Sequence, residues 1–506
     1  MRKLCPATSF VASLALLGCA GEQYAAPRST VTIAYCCAAE VLSVASDVEA
    51  KMLIFQPLVA GPEKVEMEGR LARSWEHSTD DRSWTFHLRT DVNWHDGVTV
   101  TAHDVKFTLE LLMHPAVSYF PRSRVDSIVV PDDSTVVIHY ANPTDGLDWW
   151  TVYYPRHLLK DLDPQKFWSW PFWTSPVGNG PYRFVRFVPE TMMEFEANPD
   201  YYRDQPKIRR VLLKFTKDAA VSELLSGKVD AATHVNPADA PKLLGDPRFR
   251  AYYSMGGQIM RVAYWRNGHP LFRDRTVRRA LTLAINREEL RTVLSLPENI
   301  PVLDGIPTAR QLARQDLLPP IAYDPLAAAR LLEEAGWRDS DGDGIREKNG
   351  AAFRFTALVH PAPGFARMAV YIQASLRRVG VAMDIQPMDG IALRDRLRSG
   401  KYDAALTRTA MPELWLPVVF GPKGHLGYRN PALITLIERL SRTADPAQRD
   451  EIHTAMTRIF QADAPVTFLL PEVWTAFANR RIKGLRSPWR ADPVMFMEEL
   501  WVDERS

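Results

Sequence analysis

A chain of 506 residues exceeds one ordinary domain and predicts two or three lobes. Its 62 basic and 60 acidic residues leave a formal charge of +2, so no bulk field favours nucleic acid. The 14 Trp, 16 Tyr and 21 Phe suit aromatic walls around a ligand, although most such rings serve a core.

The first residues read as an export signal. Arg2 and Lys3 supply positive charge, and Phe10 to Gly18 is an apolar run shorter than the roughly 20 residues a spanning helix needs. The run ends in Leu16-Leu17-Gly18-Cys19, which resembles a bacterial lipobox and marks Cys19 as the lipidated first residue of the mature chain. Ordinary secretory cleavage near Ala25-Ala26 is the alternative. Cys36 and Cys37 remain in the mature body. Adjacent Cα atoms lie about 3.8 Å apart, short of the roughly 4.4–6.8 Å usual for a disulfide, so the spacing predicts two free thiols.

Further along, Thr30 to Tyr35 reads as a first strand. Trp84, Phe86 and Leu88 alternate with polar residues as in a half-buried strand. Asp96-Gly97 marks a turn, and Thr101-Ala-His-Asp104 opens a helix with Val105, Leu109 and Leu112 on one face. Ser134 to Tyr140 is another strand. Pro176-Val-Gly-Asn-Gly-Pro-Tyr182 precedes strand-like Arg183 to Phe187, so its glycines predict a tight turn rather than a phosphate cradle. Val211, Leu213 and Phe215 alternate next. Val277, Leu281, Ala284 and Ile285 form a helical stripe, and Asn286 with Glu289 predicts a capping box. Asp324-Pro325 starts a helix that Gly336 ends; Asp445-Pro446 starts another.

These segments, in this order, resemble the bacterial extracellular solute-binding proteins of family 5, the oligopeptide, dipeptide and nickel type. The stretch from Ser83 to Glu110, the phrase from Pro176 to Tyr182 and the segment from Leu271 to Leu290 carry most of the likeness, which runs with gaps from about residue 31 to 480. The resemblance implies an α/β fold of the periplasmic-binding-protein type II class, in its large three-lobed form. A discontinuous lobe I (28–62, 178–260 and 478–506) would hold a small inserted lobe (63–177), with lobe II at 261–477 and 1–19 as the signal. Two strands would cross between the large lobes, near Gly256-Gly257 and near Trp474 to Asn479. It also implies an exported monomer that binds a peptide-like or other small solute and hands it to a membrane ABC permease with its ATPase. A sensory or scaffolding lipoprotein with a degenerate cleft is the alternative.

The chain offers no Gly-x-Ser-x-Gly elbow, His-Glu-x-x-His or phosphate-binding Gly-Lys-Ser/Thr loop, so neither catalysis, a cofactor nor a metal is expected. Asp339-Ser-Asp-Gly-Asp-Gly-Ile345 begins like a calcium loop, but its twelfth position is Gly350 rather than Glu. A plain turn is expected there. In peptide receptors of the family, an aspartate after the Tyr-Asp strand pairs with the peptide amine. Here that strand, from Tyr402 to Arg408, is followed by Thr409 to Pro417 with Glu413 as its one acid. The expected cleft residues are Tyr35, Cys36, Arg408, Met411, Glu413 and Trp415, joined by Trp170 and Trp173 from the edge of the small lobe. An arginine near a strand end could hold a carboxylate bidentately.

Overall fold

The computed structural model describes residues 30–35, 48–60, 67–117, 125–143, 151–216, 219–236, 239–362, 364–410, 416–422, 424–485, 494 and 497–503. Cys19, Cys36, Cys37, Met411, Glu413 and Trp415 lie outside them. The architecture is α/β, as expected. Among the described residues, no helix is long and apolar enough to cross a membrane.

Two long strands, Phe249–Trp265 and Val466–Asn479, run antiparallel through the middle of a ten-stranded sheet. On one side the sheet continues through Ala231–Ala232, Thr30–Tyr35, Arg210–Phe215, Met192–Ala197 and Tyr182–Val188. On the other it continues through Ala404–Ala410, Arg354–Val359 and Ala382–Pro387. The inner strands are covered on both faces. Their sequences accordingly read as apolar runs rather than alternations: Val31, Ile33 and Ala34 in one half, Ala404 to Leu406 in the other, all buried.

The register between the two long strands breaks once on a large scale. Met255 pairs with Val473 and Met260 with Pro471, so five steps along one strand meet two along the other. Gly256-Gly257 falls inside this break. In the first half-sheet, Thr30–Tyr35 runs parallel to Arg210–Phe215 and to Ala231–Ala232, and all three point their carboxyl ends at the break. In the second, Arg354–Val359 and Ala404–Ala410 run parallel and aim their carboxyl ends at the same place, with Ala410 paired to Ile259. Two sets of strand ends thus face one another across it. Open α/β sheets bind ligands outside the carboxyl ends of their strands.

A separate four-stranded antiparallel sheet contains Ser83–Leu88 and Thr135–Tyr140 as neighbours. Trp84, Phe86 and Leu88 are buried in alternation, as their period predicts. Helix Ala102–Met113 packs beside it. Asp104 there accepts from the Thr101 N–H at 2.8 Å and from the Arg156 N–H at 2.8 Å, tying the helix start to a distant segment. His95 accepts from or donates to the next element: Gly178 N–H lies 3.2 Å from its Nδ1 and Gly180 C=O 3.1 Å from its Nε2. Burial is the main cause that pulls its pKa down to about 4, outweighing the raising effect of the Gly180 carbonyl. The Trp94 to Asp104 phrase is therefore a fastening between two parts of the fold.

The glycines at 178 and 180 are needed for close approach, which differs from the tight turn expected. A Cβ on Gly178 would stand 2.0 Å from the Ile54 carbonyl oxygen, and one on Gly180 would stand 2.6 Å from the Ile54 carbonyl carbon. That oxygen accepts from both Asn179 N–H (2.9 Å) and Gly180 N–H (2.7 Å). Caps mostly follow the sequence. Asp324, Asn286 and Asp445 each accept from the expected backbone N–H. Glu289 instead turns to the Tyr371 hydroxyl at 2.8 Å, so Asn286 caps its helix without the reciprocal bond of a capping box.

Candidate functional site

The second half-sheet contributes a group of charges at its end of the register break. Arg261, on the first long strand, is 3% exposed in its side chain and meets Glu472, on the second, at 6%. The pair is bidentate: Arg261 Nε donates to Glu472 Oε2 at 2.7 Å and Nη2 donates to Oε1 at 3.2 Å. The guanidinium also lies over the Phe365 ring, 5.3 Å from its centroid. Its third nitrogen, Nη1, is buried without a hydrogen-bond partner among the described residues.

Directly across the ladder from Arg261 sits Arg408, which is exposed. His360 follows the neighbouring strand, its backbone N–H donating to Leu406 at 3.0 Å and its ring 5.1 Å from Phe365. Burial lowers its pKa to about 4, helped by Arg408 and Arg261 and opposed by Glu472. At neutral pH the imidazole is therefore uncharged.

The first half-sheet presents a mostly aromatic wall. Tyr35, at the end of its strand, lies 6.4 Å from the Phe215 ring and 6.2 Å from that of His234, and His234 lies 5.7 Å from Trp474. Glu49, in the first turn of helix Val48–Ile54, is buried and stands 3.3 Å from His234 Nε2. His234 has a φ of +51°, in the left-handed region that few non-glycine residues occupy. Trp474 and Glu472 are two residues apart on one strand, so a single strand joins this wall to the Arg261 group.

Of the expected cleft residues, Tyr35 and Arg408 lie at these strand ends. Trp170 and Trp173 do not. Trp170 is 4% exposed, with its indole N–H donating to the Asp163 carbonyl at 2.8 Å. Trp173 is 3% exposed, donates to the Phe167 carbonyl at 2.7 Å, and packs among Phe55, Tyr154, Phe167 and Phe172. Both are core rings, and this corrects their assignment to a ligand-stacking surface. The residues that sequence reasoning missed are Glu49, His234, Arg261, His360, Glu472 and Trp474. Two of them left a trace in the sequence: Arg261 and Glu472 each interrupt an apolar strand, and a charge there must find a partner or leave the core.

Two other features lie apart from these strand ends. The Asp339, Asp341, Asp343 and Glu347 carboxylates converge, with one oxygen of each within 4.8 Å of the others. The first three shape a turn by accepting backbone N–H groups of Gly342, Gly344, Asp343 and Ile345, and Glu347 accepts from Ser340 N–H at 2.8 Å. Elsewhere an open depression of about 700 Å³ is bordered by Arg275, Arg279, Arg330 and Glu334.

Two half-sheets that turn their strand ends toward one break, with a charged group on one side and an aromatic wall on the other, define a two-lobed binding protein. Residues 66–419 match the model of the bacterial extracellular solute-binding proteins, family 5 Middle, and the chain belongs to that family. The oligopeptide-binding protein AppA of Bacillus subtilis is 25% identical over 466 residues, covering 84% of this chain and 81% of AppA. Two solved structures share the fold over 94% of the chain. NikA from Brucella suis in complex with Fe(III)-EDTA has a TM-score of 0.80 at 20% identity, with all of NikA covered (100%). The ABC transporter substrate-binding protein CtaP from Listeria monocytogenes has a TM-score of 0.79 at 21% identity, with 99% of CtaP covered.

Proposed function

We propose that this protein is the substrate-binding lipoprotein of an ABC importer. It captures one peptide-like or other small solute between two lobes outside the cytoplasmic membrane and delivers it to a membrane permease with its ATPase. The lobes are 28–62, 178–260 and 478–506 for the first, 261–477 for the second, and 63–177 for the small insertion. Cys19 carries the lipid that holds the protein at the envelope. The protein works by binding and hinge closure, without chemistry on the solute.

One observation carries this reading: parallel strands of both half-sheets end facing the register break, where two long strands are the covalent connection. Such a break is a natural hinge, because a few residues outside the regular ladder can absorb a change in φ and ψ. A solute that touches both sets of strand ends makes its full contacts in the closed form and shifts the population toward it. AppA is named for oligopeptides, and NikA was solved with a metal chelate, which supports a small solute without choosing its class. The experiment is mass spectrometry of small molecules released on denaturing protein purified from its native host. A stoichiometric released solute supports the reading, and repeated recovery of none counts against it.

A further inference from the structure

Arg261 and Arg408 occupy opposed positions on adjacent antiparallel strands, so both side chains leave the same face of the sheet. Like charges directly opposite each other destabilise a sheet, and one carboxylate, Glu472, balances one of these two. Among the described residues the Arg408 side chain has no ion-pair or hydrogen-bond partner, while its backbone lies in the ladder. His360, beside both, is neutral at pH 7 and adds no compensation. Among the described residues the group thus keeps one net positive charge, at a place where strand ends favour ligand binding.

A second observation points the same way. Arg261 is fixed by its two bonds to Glu472 and by Phe365, yet its buried Nη1 has nothing to donate to among the described residues. A buried donor left unmade is costly, so such groups normally have a partner in the working state. A guanidinium fork is planar and donor-only, and it suits a carboxylate in particular. We propose that Arg408 and the Nη1 of Arg261 together hold a carboxylate of the solute, and that the solute is a net anion, an organic acid. This rests on the receptor reading above, and names the class of solute that the receptor takes.

The test uses metabolite extract of the native host, separated by ion exchange at pH 7 into anionic, neutral and cationic pools, with thermal shift as the readout. The anionic pool should raise the melting temperature of the wild-type protein. Arg408→Gln, a change at an exposed side chain, should melt normally without solute and lose most of that shift, and Arg408→Lys should recover part of it. Calorimetry with the solute isolated from the active pool should then show affinity at least tenfold weaker in Arg408→Gln. A shift given by the neutral or cationic pool alone overturns the anion proposal and leaves the receptor reading standing. An anionic solute bound equally by Arg408→Gln overturns the assignment of this subsite. Silence from all three pools counts against both.

Discussion

Arg261 and Glu472, 211 residues apart in the chain, form a two-point ion pair at the place where the two long strands change register. Each residue comes from a different crossing strand, so the pair clamps the strands together at the edge of the proposed hinge. Burial makes it asymmetric in its consequences. Removing one partner leaves an uncompensated charge in the interior, which typically costs about 3–5 kcal/mol, whereas removing both costs far less. Arg261→Met and Glu472→Leu should each lower unfolding free energy by about that amount in urea titrations. The double substitution should recover a large part of the loss. Additive losses in the double variant would show that the two side chains are not coupled.

The Gly178 and Gly180 positions give a steric prediction. Neither has room for a Cβ against Ile54, so Gly178→Ala should destabilise by about 1–3 kcal/mol through forced backbone movement. Gly245 is the control: it has a φ of −86° and nothing within 4 Å of a built Cβ. Gly245→Ala should leave the melting temperature unchanged or raise it slightly. Equal behaviour of the two variants would contradict the close-approach account.

Buried histidines set a pH dependence. His95, His360 and His453 all have pKa values lowered to about 4, with burial the largest cause in each. In the unfolded chain they titrate near 6.5, so between about pH 4 and 6.5 the unfolded state binds more protons than the native one. Their contribution to stability is complete above pH 6.5 and is lost as pH falls toward 4. His453 is the cleanest case, at 2% exposed with its Nδ1 2.6 Å from the Ile306 carbonyl oxygen. Urea unfolding at pH 7.5, 6 and 5 should show stability falling with acidity, and His453→Gln should flatten part of that slope, by up to about 2 kcal/mol over this range. A slope unchanged in the variant would remove His453 from the explanation.

Sequence patterns of short range were legible here. The alternation of Trp84, Phe86 and Leu88, the caps at Asp324 and Asp445, and the stripe through Val277 and Leu281 are set within a few residues and reappear in the structure. What sequence alone hid depends on register. Arg261 meets Arg408 and Glu472 because three strands from distant parts of the chain lie side by side. Tyr35 meets His234 because strand Ala231–Ala232 lies beside Thr30–Tyr35. Trp170 and Trp173 show the opposite difficulty. A tryptophan in a proline-bounded loop looks the same in sequence whether it stacks on a solute or fills the core, and the bonds from Trp170 to Asp163 and from Trp173 to Phe167 are what separate the two cases.

The proposed export signal and lipid anchor make a prediction about where the protein resides. Cys19 follows an apolar run and Gly18, so Cys19→Ser should move the protein from the membrane fraction to the soluble envelope fraction. Intact mass of native membrane-derived protein should start at a lipid-modified Cys19. A mature chain that begins near Ala25-Ala26 without lipid would replace the lipoprotein reading with ordinary secretion.

In the proposed receptor a solute closes two lobes about the register break between Met255 and Met260. Small-angle X-ray scattering of the protein freed of solute by partial unfolding and dialysis, and then of the same sample with its recovered solute restored, measures this directly. Closure should give a smaller radius of gyration on adding the solute, saturating at one equivalent. An unchanged radius at saturating solute would contradict closure and leave a rigid binder in its place.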